Sequence, residues 1–406
     1  CLRVAAFPGQ IVAVRGHYDL TGSTFHVRDF LAGLPAPPRL VAPDRSLHVL
    51  VVAGPFCLRT GLDYAPLESV LAHAVAERPD VLIIFGPFLD ANNLSVSAGD
   101  IFLPGGEPCS VDDVYAYHIL PLLIRGLAPL RQASPATNVL IVPSLDDVLG
   151  LHSLPQPPLD AMLCGGPPAV EATAMSQDGQ PQARHDTPKL STGQRVFIQG
   201  LEKAPDFNGH CGVVVKWRDD TGRYAVRVAG REIGIKPDNL KSDTPGSAIE
   251  HLKRMGIQFL PNPAHVEING IKVSLTSADA LSPLLRNFVL RPDGRKMEEA
   301  LRLLLLQQGL FPVVPRDPAQ VCEARAAALD FPGGVLPDVC IFPSITGTVK
   351  GTLVDDTIFV NPRSLCRPAA LGTFAELWLT PTTGGKSTPL GERFRVDSHR
   401  IGSRSL

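Results

Sequence analysis

DVLIIFGPFLDAN, residues 80–92, passes from a wholly apolar run to a broken loop at a single residue. Val81 to Phe85 are all apolar, and every one except Leu82 is β-branched or aromatic. The run is too short for a membrane span and has no polar alternation, so it reads as a strand buried on both faces. Gly86 and Pro87 end the strand, because proline has no N–H to give to a ladder. Asp90 follows on the loop at the strand's carboxyl end, where open α/β sheets place their chemistry.

The same pattern recurs on either side. Leu47–Ala53 is a second buried strand, and Pro66 opens a helix whose Leu67, Val70, Leu71 and Val75 share one face. Ser110 caps another helix, with Asp112 and Asp113 in the first turn where the macrodipole favours carboxylates; Pro121 is expected to kink or end it. Asn138–Pro143 is a third strand. From Ile249 onward the pattern resumes, with a hairpin over Val266–Ser274 turning at Asn269-Gly270 and a helix over Lys296–Gln308. Strands at Val339–Phe342, Thr357–Val360 and Thr373–Leu379 are expected to complete the sheet. Alternating strands and helices of these lengths imply a parallel, layered α/β sheet with right-handed crossovers.

Other segments follow different rules. Residues 1–34 alternate apolar and polar positions, as in a hairpin or the end of a small barrel, and Leu34–Asp44 is a proline-rich connector. Residues 161–191, rich in Ala, Pro, Gly, Gln and Ser, read as a disordered linker. Residues 193–241 hold four or five short alternating strands separated by tight turns, the mark of a small SH3-like barrel. The expected division is 1–45, then 46–160, the linker 161–191, an inserted barrel over 192–242, and 248–406. The α/β pattern on either side of the barrel is incomplete alone, which makes the barrel an insertion.

A chain of 406 residues with 44% apolar content builds at least one sizeable core. A formal charge of −2 leaves no global basic field for nucleic acid, so any such contact is local or delegated to a partner. No apolar run has the length of a spanning helix, and no membrane partner is expected. Cys1 in place of an initiator Met marks a fragment or a processed form. The eight cysteines are scattered without a C-x-x-C pair, as ordinary reduced thiols are in cytosol or nucleus.

Gly-rich loops after buried strands raise the question of a binuclear metallophosphoesterase. Such a site needs Asp and His together around two cations about 3.5–4 Å apart. After the first strand, Ala53-Gly54-Pro55-Phe56 supplies no ligand where Asp-x-His is wanted. After the second, Pro87 stands where a bridging Asp would be. After the third, Ser144-Leu145-Asp146-Asp147 replaces Gly-Asn-His-Asp, and after a late strand Pro343-Ser344 replaces Gly-His-x-His. Asp90, Asp146 and Asp147 are the remaining oxygen donors, and turn or cap chemistry is the plainer use for them. His118 and His265 read as ordinary helix-surface and hairpin residues, and Ser144 has no His in its loop to activate it. No catalytic residue, metal or cofactor is assigned.

Taken in order, FPGQIVAVRG (7–16), DVLIIFGPFLDA (80–91), VLIVPSLDDV (139–148), PQPPLD (155–160), INGIKVSLTSAD (268–279), LPDVCIFPS (336–344) and FVNPRSL with GTFAEL (359–377) resemble the B subunits of DNA polymerase alpha. That resemblance implies part of an OB-fold joined to a calcineurin-like phosphoesterase domain whose catalytic ligands are gone. The former metal-site positions are then Ala53, Pro55, Pro87, Asp90, Asp146, Asp147, Pro343 and Ser344. It further implies a nuclear, non-catalytic scaffold that holds the zinc-bearing C-terminal domain of the polymerase alpha catalytic subunit, reaches primase through the complex, and meets DNA indirectly or weakly. The small subunits of polymerases delta and epsilon share the architecture, and PQPPLD and FPGQ favour alpha. A metal-dependent phosphoesterase or 3′ exonuclease is the competing reading. The barrel lies outside the resemblance. Its Lys203, Lys216, Arg218, Arg223, Arg227, Arg231, Lys236 and Lys241, with Trp217 and Tyr224, offer a basic aromatic surface. Interleaved acids make a solvated barrel face the plainer expectation.

Overall fold

The computed structural model describes residues 5–31, 45–102, 109–149, 153–164, 190–193, 195–208, 210–228, 230–242, 245–289, 294, 296–314, 316, 320–347, 351–381 and 392–401. In chain order, β1 (Ala13–Tyr18) and β2 (Phe25–Leu31) form an antiparallel hairpin. Next come β3 (Leu47–Ala53), α1 (Ala65–Glu77), β4 (Val81–Phe85), α2 (Leu94–Ser97), α3 (Val111–Val114), a π-helical turn (Tyr115–Ile119), α4 (Leu120–Ala133) and β5 (Asn138–Val142). After α5 (Leu159–Cys164) stand the short strands β6 (Arg195–Ile198), β7 (Cys211–Arg218), β8 (Arg223–Val228), β9 (Arg231–Ile235) and β10 (Leu240–Ser242). The remainder is α6 (Pro245–Arg254), β11 (Ile257–Phe259), β12 (Ala264–Ile268), β13 (Ile271–Leu275), α7 (Leu281–Arg286), α8 (Lys296–Leu306), β14 (Val339–Ile341), β15 (Thr352–Val354), β16 (Thr357–Val360), β17 (Cys366–Arg367), β18 (Ala370–Leu371), β19 (Thr373–Leu379) and β20 (Phe394–Arg400).

The expected single sheet is in fact two. One has the order β11-β5-β4-β3-β19-β20 and the other β12-β13-β14-β16-β15. They face one another across a core of Val49, Val51, Val81, Ile83 and Phe85 on one side and Ile271, Val273, Val339, Ile341 and Ile358 on the other. The opposite face of the first sheet, Leu50, Val52, Leu82, Ile84 and Ile141, is covered by Leu67, Val70 and Leu71 of α1, Leu123 and Leu127 of α4, and Leu252 of α6. The opposite face of the second packs Cys340 and Phe359 on Leu281 and Leu284 of α7 and Leu301 and Leu304 of α8. Strands buried on both faces show no alternation, so periodicity could not say which of them share a sheet. The result is four layers, helix, sheet, sheet, helix.

Each sheet has a parallel block, β3, β4, β5 and β11 in one and β13, β14 and β16 in the other, while β19 runs antiparallel to β3. Ala53, Phe85 and Val142 stand side by side at the strand ends. Parallel pairing therefore delivers their following loops to one edge.

Local signals behave as their chemistry requires, with two exceptions. Ser110 and Asp113 form a reciprocal capping box at the start of α3. Asn269 and Gly270 both adopt positive φ, 49° and 76°, to turn β12 into β13. Pro121, however, does not end its helix. It follows the π-turn, whose wider spacing accommodates a residue without an N–H, and the helix runs on through α4. The linker expected over 161–191 also begins too early, since residues 161–164 complete α5, whose Leu159 is buried. At its far end the Leu190 N–H donates to the Tyr224 hydroxyl (3.1 Å). Residues 165–189, like the connector over 34–44, lie outside the described residues. Strands β6 to β10 form one antiparallel sheet in the order β10-β6-β7-β8-β9, around a core of Val196, Val214, Tyr224, Val226, Val228 and Ile235.

Candidate functional site

The loops compared one by one in the sequence meet in space. Gly54 and Pro55 after β3, Gly86 and Pro87 after β4, Ser144 to Asp146 after β5, Ser277 to Asp279 after β13 and Pro343 to Ile345 after β14 line a single cleft of about 420 Å³. Each of the first two loops begins by extending the sheet. Gly54 N–H donates to the Phe85 carbonyl (3.0 Å) and Gly86 N–H to that of Val142 (2.9 Å). The two glycines are required by close approach: a Cβ on Gly86 would lie 2.5 Å from Asp147 Oδ2, and one on Gly54 would meet the Pro87 backbone.

The three aspartates have three different fates. Asp147 is 1% exposed and does not face solvent. Its Oδ1 accepts the N–H groups of Phe88 (2.6 Å) and Leu89 (2.9 Å) and the Tyr115 hydroxyl (2.8 Å), while Oδ2 accepts Ser144 N–H (3.4 Å). Neither turn nor cap, as expected above, describes it. Asp147 clamps the β5 loop to the β4 loop, and only the packing of two strands side by side makes that possible. Burial pushes its carboxyl up to about 6 against these four donors, which favour the charged form. Asp90 closes a local turn through Asn92, whose N–H is 2.8 Å from Oδ1. Asp146 alone of the three lines the cleft; burial, then the charge of Asp90, raises its pKa.

On the second-sheet side Asp279 lines the cleft as well. It accepts the N–H groups of Leu281 (3.1 Å), Ser282 (3.0 Å) and Ile345 (3.3 Å) and the Ser282 hydroxyl (2.5 Å). Asn361 holds the Ser344 peptide from both sides, each bond 2.9 Å. Buried Asn262 bonds Gln156, Thr276 and Ser277, and Ser277 in turn reaches the Pro143 carbonyl, tying the two sheets' loops together. Arg286, exposed at the end of α7, is the cation of the lining. The bonds of the Asn262 network could not be read from the sequence, because their partners are 14 to 134 positions away.

Among the described lining residues there is no imidazole. His118 is half-buried on its helix, edge-on to Tyr64 at 5.1 Å; His265 meets the Ser274 hydroxyl across its hairpin at 2.8 Å. Ser144 Oγ accepts the Asp146 N–H at 3.2 Å and has no base beside it. Among the described residues no three His, Cys, Asp or Glu are placed to hold a metal ion. The cleft offers hydroxyls, peptide groups, one carboxylate not occupied by the loops and one guanidinium.

A sequence profile for the B subunit of DNA polymerases alpha and epsilon matches residues 49–175 and 243–350, which include β4, β5, β13 and β14 and all but the first two residues of β3, the strands whose loops line the cleft. The chain belongs to the DNA polymerase alpha/epsilon B-subunit family. Relatives named as the B subunit of DNA polymerase alpha are 24% identical over 97% of the chain in Drosophila melanogaster, 27% over 92% in Schizosaccharomyces pombe and 32% over 92% in Rattus norvegicus. The chain spans 48%, 51% and 47% of those proteins, about half the length of each. The residues matched by the family profile bracket the β6–β10 sheet on both sides. Among the described residues, no helix is long and apolar enough to cross a membrane.

Proposed function

We propose that this chain is a non-catalytic accessory subunit of the DNA polymerase alpha–primase type, acting in the nucleus during initiation of DNA replication. Its partner in this reading is the zinc-bearing C-terminal domain of the polymerase alpha catalytic subunit, with primase reached through the complex and DNA met indirectly. The cleft is a former calcineurin-like phosphoesterase centre, with Ala53, Pro55, Pro87, Asp90, Asp146, Asp147, Pro343 and Ser344 at the emptied positions. The β1–β2 hairpin is part of an OB-fold, and the β6–β10 sheet is an SH3-like insertion.

The observation that carries this reading is the use made of Asp147. In a two-metal centre a loop carboxylate is worth having only when its oxygens face the ions and the reacting phosphate. Here the most buried carboxylate of the cleft loops is saturated by backbone N–H groups and a tyrosine, while proline and serine occupy the loop positions around it. Loops so braced form a rigid rim, which suits a scaffold held by another polypeptide. Co-expression with the C-terminal domain of the polymerase alpha catalytic subunit is expected to give a complex that survives gel filtration. The same preparation is expected to release no product from phosphodiester substrates with Mn²⁺. Manganese-dependent turnover abolished by Asp146→Ala would replace this reading with a phosphoesterase.

A further inference from the structure

We propose that the outer face of the β7–β8–β9 sheet binds the phosphate backbone of duplex nucleic acid. The register decides which side chains share that face. Val214, Tyr224, Val226, Ile233 and Ile235 point into the small core. On the opposite face Lys216 pairs with Ala225, which in turn pairs with Gly234, Arg218 pairs with Arg223, and Arg227 with Glu232. A bulge between Val214 and Lys216 in β7 brings Lys216 onto this face.

Lys216, Arg223 and Arg227 are exposed. The acid of the face, Glu232, is taken by Arg218 at 2.6 Å. Between the cations lie Ala225, which is fully covered by its neighbours, and Gly234, where a Cβ would meet only the Arg223 side chain, 3.6 Å away. Arg223 donates one N–H to the Gly234 carbonyl at 3.2 Å, which holds its guanidinium across the strands. Arg223 and Arg227, four residues apart on β8, stand about 13 Å from each other, and Lys216 lies one strand, about 4.8 Å, to their side, so the three exposed cations form an elongated strip. Such a strip suits a rod carrying one charge per ~1.7 Å.

Base stacking is not what this face offers. Trp217 lies on the other side with Tyr224, edge-on at 4.6 Å, and its indole N–H is given to Asp219 at 2.6 Å. Asp219 and Asp220 lie in the turn beyond the strand ends, not between the cations. The chain as a whole carries −2, so the strip is a local excess of positive charge. It also lies between the two segments matched by the family profile, and it stands whether or not the polymerase assignment does.

The test is fluorescence anisotropy of the full chain with a labelled random-sequence DNA duplex at two salt concentrations. Three phosphate contacts give a slope of about −2.7 in log K against log salt, or affinity about 40-fold weaker at ~200 mM than at ~50 mM. Lys216→Ala/Arg223→Ala/Arg227→Ala is expected to lose at least about 10-fold in affinity and most of that slope, with an unchanged melting temperature. Lys216→Arg/Arg223→Lys/Arg227→Lys retains both, because a phosphate needs only the charge. The proposal fails if the parent does not bind, if the alanine variant binds with the parent's slope, or if polyglutamate competes no worse than duplex against the parent, which would make the partner an acidic protein. The alanine variant still co-purifies with the polymerase domain, so this failure is separable from that of the scaffold reading.

Discussion

Asp147 shows how much one side chain holds. Replacing it with alanine leaves the N–H groups of Phe88, Leu89 and Ser144 and the Tyr115 hydroxyl without their acceptor in a site closed to water. Each unsatisfied buried donor costs about 1–3 kcal/mol, so Asp147→Ala is expected to destabilise by at least about 3 kcal/mol in urea unfolding. Its titration adds a sign that can be checked. Burial raises the folded pKa to about 6, above the ordinary carboxyl value, so the native state takes up the proton more readily than the unfolded chain. The parent therefore gains stability relative to the variant as pH falls from 7 toward 4. A difference that shrinks over that window would contradict the burial.

At the scale of the element, the loops after β3 and β4 are matched by their glycines. A Cβ on Gly54 would strike the Pro87 carbonyl and nitrogen, which are backbone and have no rotamer to yield. Gly54→Ala is accordingly expected to cost about 2–3 kcal/mol and to loosen the rim of the cleft, read as faster amide exchange at Gly86 and Leu89. Gly270→Ala, at φ 76° with open space around the missing Cβ, costs only its backbone conformation, about 1 kcal/mol. A comparison of melting temperatures separates the two causes. From the sequence both glycines read simply as turn residues; one is needed for its own dihedrals and the other for what lies across from it.

The whole molecule carries a second electrostatic knot, assembled from β3, α1, β19 and β20. Glu376 of β19 is 2% exposed and is met by His73 of α1 (2.6 Å), His48 of β3 (3.3 Å) and His399 of β20 (3.7 Å). Burial works against its charge, but the hydrogen bonds from His48 and His73 and the charge of His399 prevail and bring its pKa down to about 2. A depressed carboxyl pKa stabilises the fold above the ordinary value of 4.5, and that contribution is lost as pH falls toward 2. Glu376→Gln is expected to destabilise at pH 7 by about 2–3 kcal/mol, with the gap from the parent closing between pH 4.5 and 2 in denaturant midpoints. A gap independent of pH would assign Glu376 a packing role alone.

From the sequence by itself come the buried strands, the capping box at Ser110, the Asn269-Gly270 turn, the absence of His from the loops after β3, β4, β5 and β14 and the separate small β-sheet, because each is written in neighbouring residues. Only the tertiary structure decided that the strands divide into two sheets, that Asp147 serves a loop from another strand, and that Arg223 and Arg227 share a face with Lys216. Those facts depend on which segments lie side by side. Strands buried on both faces carry no alternation to say so, and a hydrogen bond between residues 59 or 303 positions apart leaves no local trace.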